Sequence, residues 1–145
     1  TPQADVELAA LEHWVEPPAV QLRRFCALWW TKPLVSGSVD AFISKRVPVQ
    51  VVRAGDAELL FLPAEPGASV GAELRADTPA RRTRFVIDHA NDWLGYVVDP
   101  QAFERGGYEA CFSFFGSGMA NWLTTQASES IGLLDARDPG PVGGR

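Results

Sequence analysis

The sequence contains no run of apolar residues near the ~18 that a membrane-crossing helix needs, so no transmembrane segment is expected. Nor does it carry a basic stripe. Thirteen Lys and Arg stand against eighteen Asp and Glu, a net charge of −5, and the short pairs Arg23-Arg24 and Arg81-Arg82 read as solvated surface. Gripping a phosphate backbone takes a concentrated basic face, so nucleic acid is not an expected partner. No basic segment followed by an apolar stretch marks a secretory signal, and Thr1 need not be the native start. Cysteine and histidine are scarce, with two of each. Cys26 and Cys111 both sit in apolar surroundings, where a free buried thiol is as acceptable as a disulfide, and the redox compartment stays open. His89 lacks the partner histidines that a metal site of its own would need, and His13 reads as an exposed residue on a helix.

What is present suits one globular domain. Hydrophobic residues make up 46% of the chain and charged ones 21%, and a domain of this length can bury about two-thirds of its unfolded surface. Thr1-Pro2 reads as an N-cap with proline at the first helical position. The spacing of Val6, Ala9, Ala10 and Trp14 then predicts a helix that Pro17-Pro18 stop. A second helix is expected over 19–30, closed by Pro33, and a short one after Ser38. From Val47 the pattern changes. Residues 47–52 and 59–62 predict two strands joined by a tight turn at Ala54-Gly55-Asp56. A helix over 68–75 and a buried strand over 84–88 follow, then a helical turn over 100–107, a strand over 108–114 and a final helix over 116–126. Strands alternating with helices give an α/β class, with a mixed sheet flanked by helices. The expected division is a single α/β domain over 1–127 and a flexible Gly-, Pro- and Asp-rich tail over 128–145.

Ligands of α/β sheets gather beyond the carboxyl ends of strands, and two strand ends here are rich in polar groups. In Leu62-Pro63-Ala64-Glu65-Pro66-Gly67 a carboxylate sits between prolines. Held that rigidly it suits a metal ligand or general base, although the pattern alone favours the ordinary role of capping the next helix. Directly after the 84–88 strand, residues 88–96 gather Asp88, His89, Asn91, Asp92, Trp93 and Tyr96. Asn91 and Asp92 could form no more than an Asx-turn. Thr1 raises one other chemistry, since an N-terminal threonine can be a nucleophile with its own amine as base. The aromatic residues Trp29, Trp30, Trp93, Phe112, Phe114 and Trp122 offer apolar surface, and most of them are expected in the core.

At these residues the chain resembles the neutral, or alkaline non-lysosomal, ceramidase family in the C-terminal part of its catalytic domain. The match rests on Pro63-Ala64-Glu65, on Asn91-Asp92-Trp93-Leu94-Gly95-Tyr96-Val97, on Gly106-Gly107-Tyr108-Glu109-Ala110 and on Phe115-Gly116, in that order. It covers about residues 47–123. The resemblance implies part of a larger layered α/β catalytic domain and a zinc-dependent amide hydrolase acting on N-acyl sphingoid lipids. It implies that Glu65 and Tyr96 are two ligands of one zinc ion, with Asn91, Asp92, Trp93 and Tyr108 around them. The family's two zinc histidines come from upstream motifs that do not occur here, as does its serine-bearing element. Ala64 replaces the family's glycine, and Trp93 stands where an aromatic is usual. Catalytic residues beyond the ligands are therefore not assigned. The implied partner is an upstream segment or partner chain carrying the histidines, and the implied setting is secreted or periplasmic. Two readings follow: a fragment or subunit of a zinc amidohydrolase, incomplete alone, or a ceramidase-like binding or structural module without catalysis.

Overall fold

The computed structural model describes residues 6–23, 32–76 and 78–138, without the side chains of 32–36. In chain order the elements are β1 (Leu8–Val15), α1 (Lys32–Phe42), β2 (Val47–Ala54), β3 (Ala57–Phe61), β4 (Glu65–Pro66) and α2 (Ala68–Ala76). They continue with β5 (Thr83–Ile87), β6 (Tyr96–Val97), α3 (Pro100–Arg105), α4 (Tyr108–Cys111) and α5 (Met119–Arg137). Four strands form one sheet in the order β1-β2-β3-β5, and β4 pairs with β6 in a separate two-stranded ribbon. The β1–β2 and β2–β3 pairs are antiparallel and β3–β5 is parallel. The sheet is mixed and flanked by helices, as the sequence pattern predicts. Gly55, at φ +57, makes the β2–β3 turn, a backbone conformation that costs glycine nothing. A parallel pair cannot be joined by a tight turn, and α2 supplies the crossover from β3 to β5.

Alternation places Val47, Val49, Val51, Leu60 and Leu62 on one sheet face, each completely buried. They meet Leu74 of α2 and Met119, Leu123 and Leu134 of α5 in one core. Each such burial is worth about 1.5–3 kcal/mol relative to exposure, so this face holds the sheet to its helices. At its lower end the same face carries charge. Arg53, Glu58 and Arg84 lie side by side on three adjacent strands. Glu58, fully buried, accepts from Arg53 Nε at 2.9 Å and from Arg84 Nε at 2.7 Å.

Several expectations fail, each for a local reason. Residues 8–15 are a strand, not a helix. Leu11 and Val15, four apart, satisfy a period of two as well as 3.6, and eight paired positions along β2 settle the matter. His13 is thus on a strand and half-buried, with Nδ1 3.1 Å from Ser130 Oγ of α5. Of the expected helix over 19–30, residues 19–23 are not helical, and Gln21 is bridged to Phe115. Residues 24–30 and Thr1 lie outside the described residues. Residues 108–111 are helical where a strand was expected. The i, i+4 spacing brings the rings of Tyr108 and Phe112 to 4.8 Å, a contact a strand would not make. The tail is corrected as well, because α5 runs on through Arg137. Its buried stripe continues at Ala127, Ser130 and Leu134, small residues that hide an amphipathic pattern. Ser130 satisfies its hydroxyl on Gln126 O at 2.7 Å.

The start of α3 carries an acid-sensitive cap. Asp99 accepts from Ala102 N at 2.8 Å and from the Ser69 hydroxyl at 2.7 Å, tying α3 to α2. The Ala102 N–H, then the Ser69 hydroxyl, hold its carboxyl below the ordinary value, with Gln101 N–H and Arg105 adding to them and burial opposing. A carboxylate with a depressed folded pKa stabilises the fold above its unfolded pKa, near pH 4, and loses that contribution as pH falls through the folded value. Asp99→Asn should therefore unfold at a lower temperature than the parent at neutral pH. The gap should shrink below about pH 4, as read by circular dichroism melts across pH. A gap independent of pH would refute the charged cap.

Candidate functional site

Two strand ends converge through the small ribbon. β4 and β6 pair in parallel with Glu65 opposite Tyr96 and Pro66 opposite Val97. Glu65 N donates to Gly95 O at 3.0 Å, and Gly67 N to Val97 O at 2.8 Å. The loop from β5 back to β6 is anchored beside them, with Ala90 N on Leu62 O at 2.9 Å and Leu94 N on Pro63 O at 2.7 Å. Within this loop His89 and Asn91 take φ of +49 and +67. Such backbone is costly for non-glycine residues and persists where the surroundings fix it. Gly95 has φ +85, and a Cβ there would run into the carbonyl oxygen of Phe112 and the ring of Phe114. Gly95→Ala should thus lower stability by about 2–4 kcal/mol, through left-handed strain plus overpacking, measured by chemical denaturation. A loss below about 1 kcal/mol would show that the ribbon yields at no real cost.

The same pairing sets Tyr96 beside Glu65. Burial, then the neighbouring Glu65 carboxylate through hydrogen bonding and charge, raise the phenol's pKa above its ordinary value, with Tyr108 and Glu109 adding to it. On the other side His89 Nε2 is 3.4 Å from Glu65 Oε2, with 31% of the Glu65 side chain exposed. Glu65 therefore stands between a phenol and an imidazole, open to solvent. Aromatic rings border it. The His89 ring lies parallel to Trp93, Trp93 meets Phe114 edge-on at 5.7 Å, and Tyr108 meets Tyr96 edge-on at 5.8 Å. Trp93, Tyr108 and Phe112 are 42%, 69% and 39% exposed, so this border is surface rather than core. Phe114 and Trp122 pack against the core as expected, and Trp29 and Trp30 lie outside the described residues.

The candidate residues divide by what their side chains do. Glu65, Tyr96, Trp93 and Tyr108 come together. Asn91 instead donates to Gln50 Oε1 at 2.8 Å, and Asp92 accepts from Trp93 N at 2.7 Å. Both hold the loop in shape. His89, to which the sequence assigns no site role, lies beside Glu65. Its approach to Glu65 follows from left-handed loop backbone, which no periodicity announces. Cys111 is disulfide-bonded, while Cys26 lies outside the described residues. A cavity of about 280 Å³ between α2 and α5 is lined by Glu73, Leu74, Arg84 and Thr124 among others. It shares no residue with the Glu65 group.

No protein-family model and no curated protein matches the sequence. Solved structures do. A crystal structure of neutral ceramidase from Pseudomonas aeruginosa superposes with a TM-score of 0.64 over 94% of this chain, at 16% identity. The fold is neutral-ceramidase-like. A ceramidase complexed with C2 also matches, with a TM-score of 0.56 over 69% of the chain at 24% identity. The chain spans 29% of the first of these ceramidase chains and 16% of the second. At these identities the likeness establishes the fold. No described helix is long and apolar enough to cross a membrane.

The donor set can be tested for a zinc ion on its own chemistry. No three described His, Cys, Asp or Glu side chains converge as a metal site. Carboxylate and ionised phenol are nonetheless hard oxygen donors, and carboxylate is a standard zinc ligand. Glu65 and Tyr96 thus fit as two donors of a set that needs three or four.

Proposed function

We propose that this chain supplies Glu65 and Tyr96 to a zinc site of a ceramidase-like amide hydrolase, completed by histidines from another segment or a partner chain. The observation that carries the reading is the parallel pairing of β4 with β6, which sets Glu65 opposite Tyr96. Bound zinc would supply Lewis acidity and an acidified water for attack on an amide carbonyl. The chain's own residues have separate tasks. Glu65 and Tyr96 would hold the ion from one side, and His89 keeps Glu65 Oε2 oriented, as outer partners of ligating carboxylates do. Trp93, Tyr108 and Phe112 present an apolar border suited to a lipid amide. The disulfide at Cys111 supports an exported setting, because disulfides persist in oxidising compartments.

The test is release of fatty acid from an N-acyl sphingoid lipid by the protein as assembled in its source cells, with and without a zinc chelator. The reading expects activity that chelation removes, zinc restores and Glu65→Ala abolishes. The 145-residue chain alone should show none. Zinc-dependent hydrolysis by that chain alone would overturn the half-site. A fully assembled protein that neither binds zinc nor cleaves amides would favour the module reading.

A further inference from the structure

The cavity between α2 and α5 is lined by charges of both signs, none of which the zinc reading uses. Its deepest polar group is the guanidinium of Arg84, with only 5% of that side chain exposed. Nε donates to Glu58 at 2.7 Å and Nη1 to Leu74 O at 2.5 Å. Nη2 has no acceptor among the described residues. Unlike the terminal nitrogens of Arg53 it is not sealed from solvent, and the space beside Arg84 is the cavity. A buried guanidinium edge so placed keeps two N–H donors ready for a ligand. Its charge is not fully balanced either. Arg53, Arg82 and Arg84 share two carboxylates, those of Glu58 and half-exposed Asp135. This end of the cavity favours an anion, and a carboxylate in particular.

The outer part of the lining has the opposite sign. Glu73 of α2 and Glu129 of α5 are exposed and face the same space, and the carboxylate that pairs with Arg84 is Glu58, not either of these. Opposite charges that border one space without neutralising each other leave room for a ligand carrying both signs in reverse order. Thr124, Thr125 and Ser128 add hydroxyls to the wall. Thr124 Oγ1 already donates to Asn121 O at 3.1 Å. A hydroxyl has one proton to give, so towards a ligand it accepts, which suits an ammonium and not a second carboxylate. The volume of about 280 Å³ lies at the lower edge of the ~300–1,000 Å³ usual for ligand cavities. That fits a molecule of amino-acid size. We propose that this cavity binds a small zwitterion of the amino-acid class, its carboxylate on Arg84 and its ammonium toward Glu73 and Glu129. The site is separate from the Glu65 group and stands whether or not that group holds zinc.

The test is isothermal titration of the protein as assembled in its source cells with glycine, 4-aminobutyrate and 6-aminohexanoate. Butyrate and butylamine, which carry one charge each, serve as controls. At least one zwitterion should bind with a Kd below about 1 mM. Both controls should bind at least about tenfold more weakly than it, the effect of losing one charged hydrogen bond. Arg84 is left intact, because it also holds buried Glu58. Ser128→Trp, at an exposed position of α5, should fill the cavity and abolish binding. Glu73→Gln together with Glu129→Gln should weaken binding about tenfold, with a melting temperature like the parent's, as is usual for surface changes. Three results would each overturn the proposal: no zwitterion bound below about 1 mM, butyrate or butylamine bound as tightly as the best zwitterion, or binding unchanged by Ser128→Trp.

Discussion

Replacing Glu58 with alanine should destabilise the fold by about 3–5 kcal/mol, the usual cost of removing one partner from a buried ion pair. Glu58 is fully buried, and Arg53, Arg82 and Arg84 keep 6%, 9% and 5% of their side chains exposed. Two guanidiniums bond the carboxylate directly and Arg82 stands 3.8 Å away. The other anion in the group is Asp135 of α5, 2.8 Å from Arg53 Nη1 and 3.6 Å from Arg82 Nη1, and half exposed. Arg53's terminal nitrogens are buried without an aligned hydrogen-bond acceptor. Its contact with Asp135 is an ion pair by distance and not a well-directed bond. Without Glu58, three buried cations would face one solvated carboxylate. Against a total stability of about 5–15 kcal/mol, that loss decides whether the domain folds at all. Urea denaturation of Glu58→Ala measures it. Arg53→Met, Glu58→Leu and Arg84→Leu made together should recover most of the loss, since apolar replacement of buried ion-pair partners is often neutral and the remaining Arg82 keeps Asp135 at 3.6 Å. A single-variant loss below about 1 kcal/mol would mean that water reaches the cluster.

The second large effect concerns zinc. Glu65→Ala should weaken zinc binding by the assembled protein at least about 100-fold, because even the partners behind a ligand cost 10–100-fold when lost. Tyr96→Phe keeps the ring and its edge contact with Tyr108, and removes only the oxygen. It should cost less than Glu65→Ala, since a phenol must first lose its proton. In the free chain Glu65 makes that proton harder to lose, and only a nearby cation reverses the sign. His89→Ala should fall between the parent and Tyr96→Phe if its role is to orient Glu65. Gly95→Ala is a useful contrast. It touches no donor, yet it displaces the strand that carries Tyr96.

The sequence made the hairpin, α2 and β5 legible because each has a strong local signal: a Gly-Asp turn between a valine-rich run and a leucine-rich one, a short amphipathic stretch, an apolar run. β1 was not legible. Leu11 and Val15 fit a helix as well as a strand, and only pairing with β2, more than thirty residues away, decides between them. The far half of α5 was hidden because its buried positions are Ala127, Ser130 and Leu134 amid Gly and Asp. At the site, β-pairing sets Glu65 opposite Tyr96, the proximity expected from the ordered motifs around them. The approach of His89 to Glu65 was not legible, because it depends on left-handed loop backbone that no periodicity announces. Asn91 and Asp92 looked like site residues by composition, and in the fold they brace the loop.

One measurement bears most directly on the central claim that Glu65 and Tyr96 are two donors of one zinc ion. It is a competition titration of zinc against a chromophoric chelator, run on the assembled protein and on its Glu65→Ala and Tyr96→Phe forms. The account predicts tight stoichiometric zinc in the parent, a smaller loss of affinity in Tyr96→Phe and a larger one in Glu65→Ala, with all three equally folded. Affinity unchanged in both variants would contradict it.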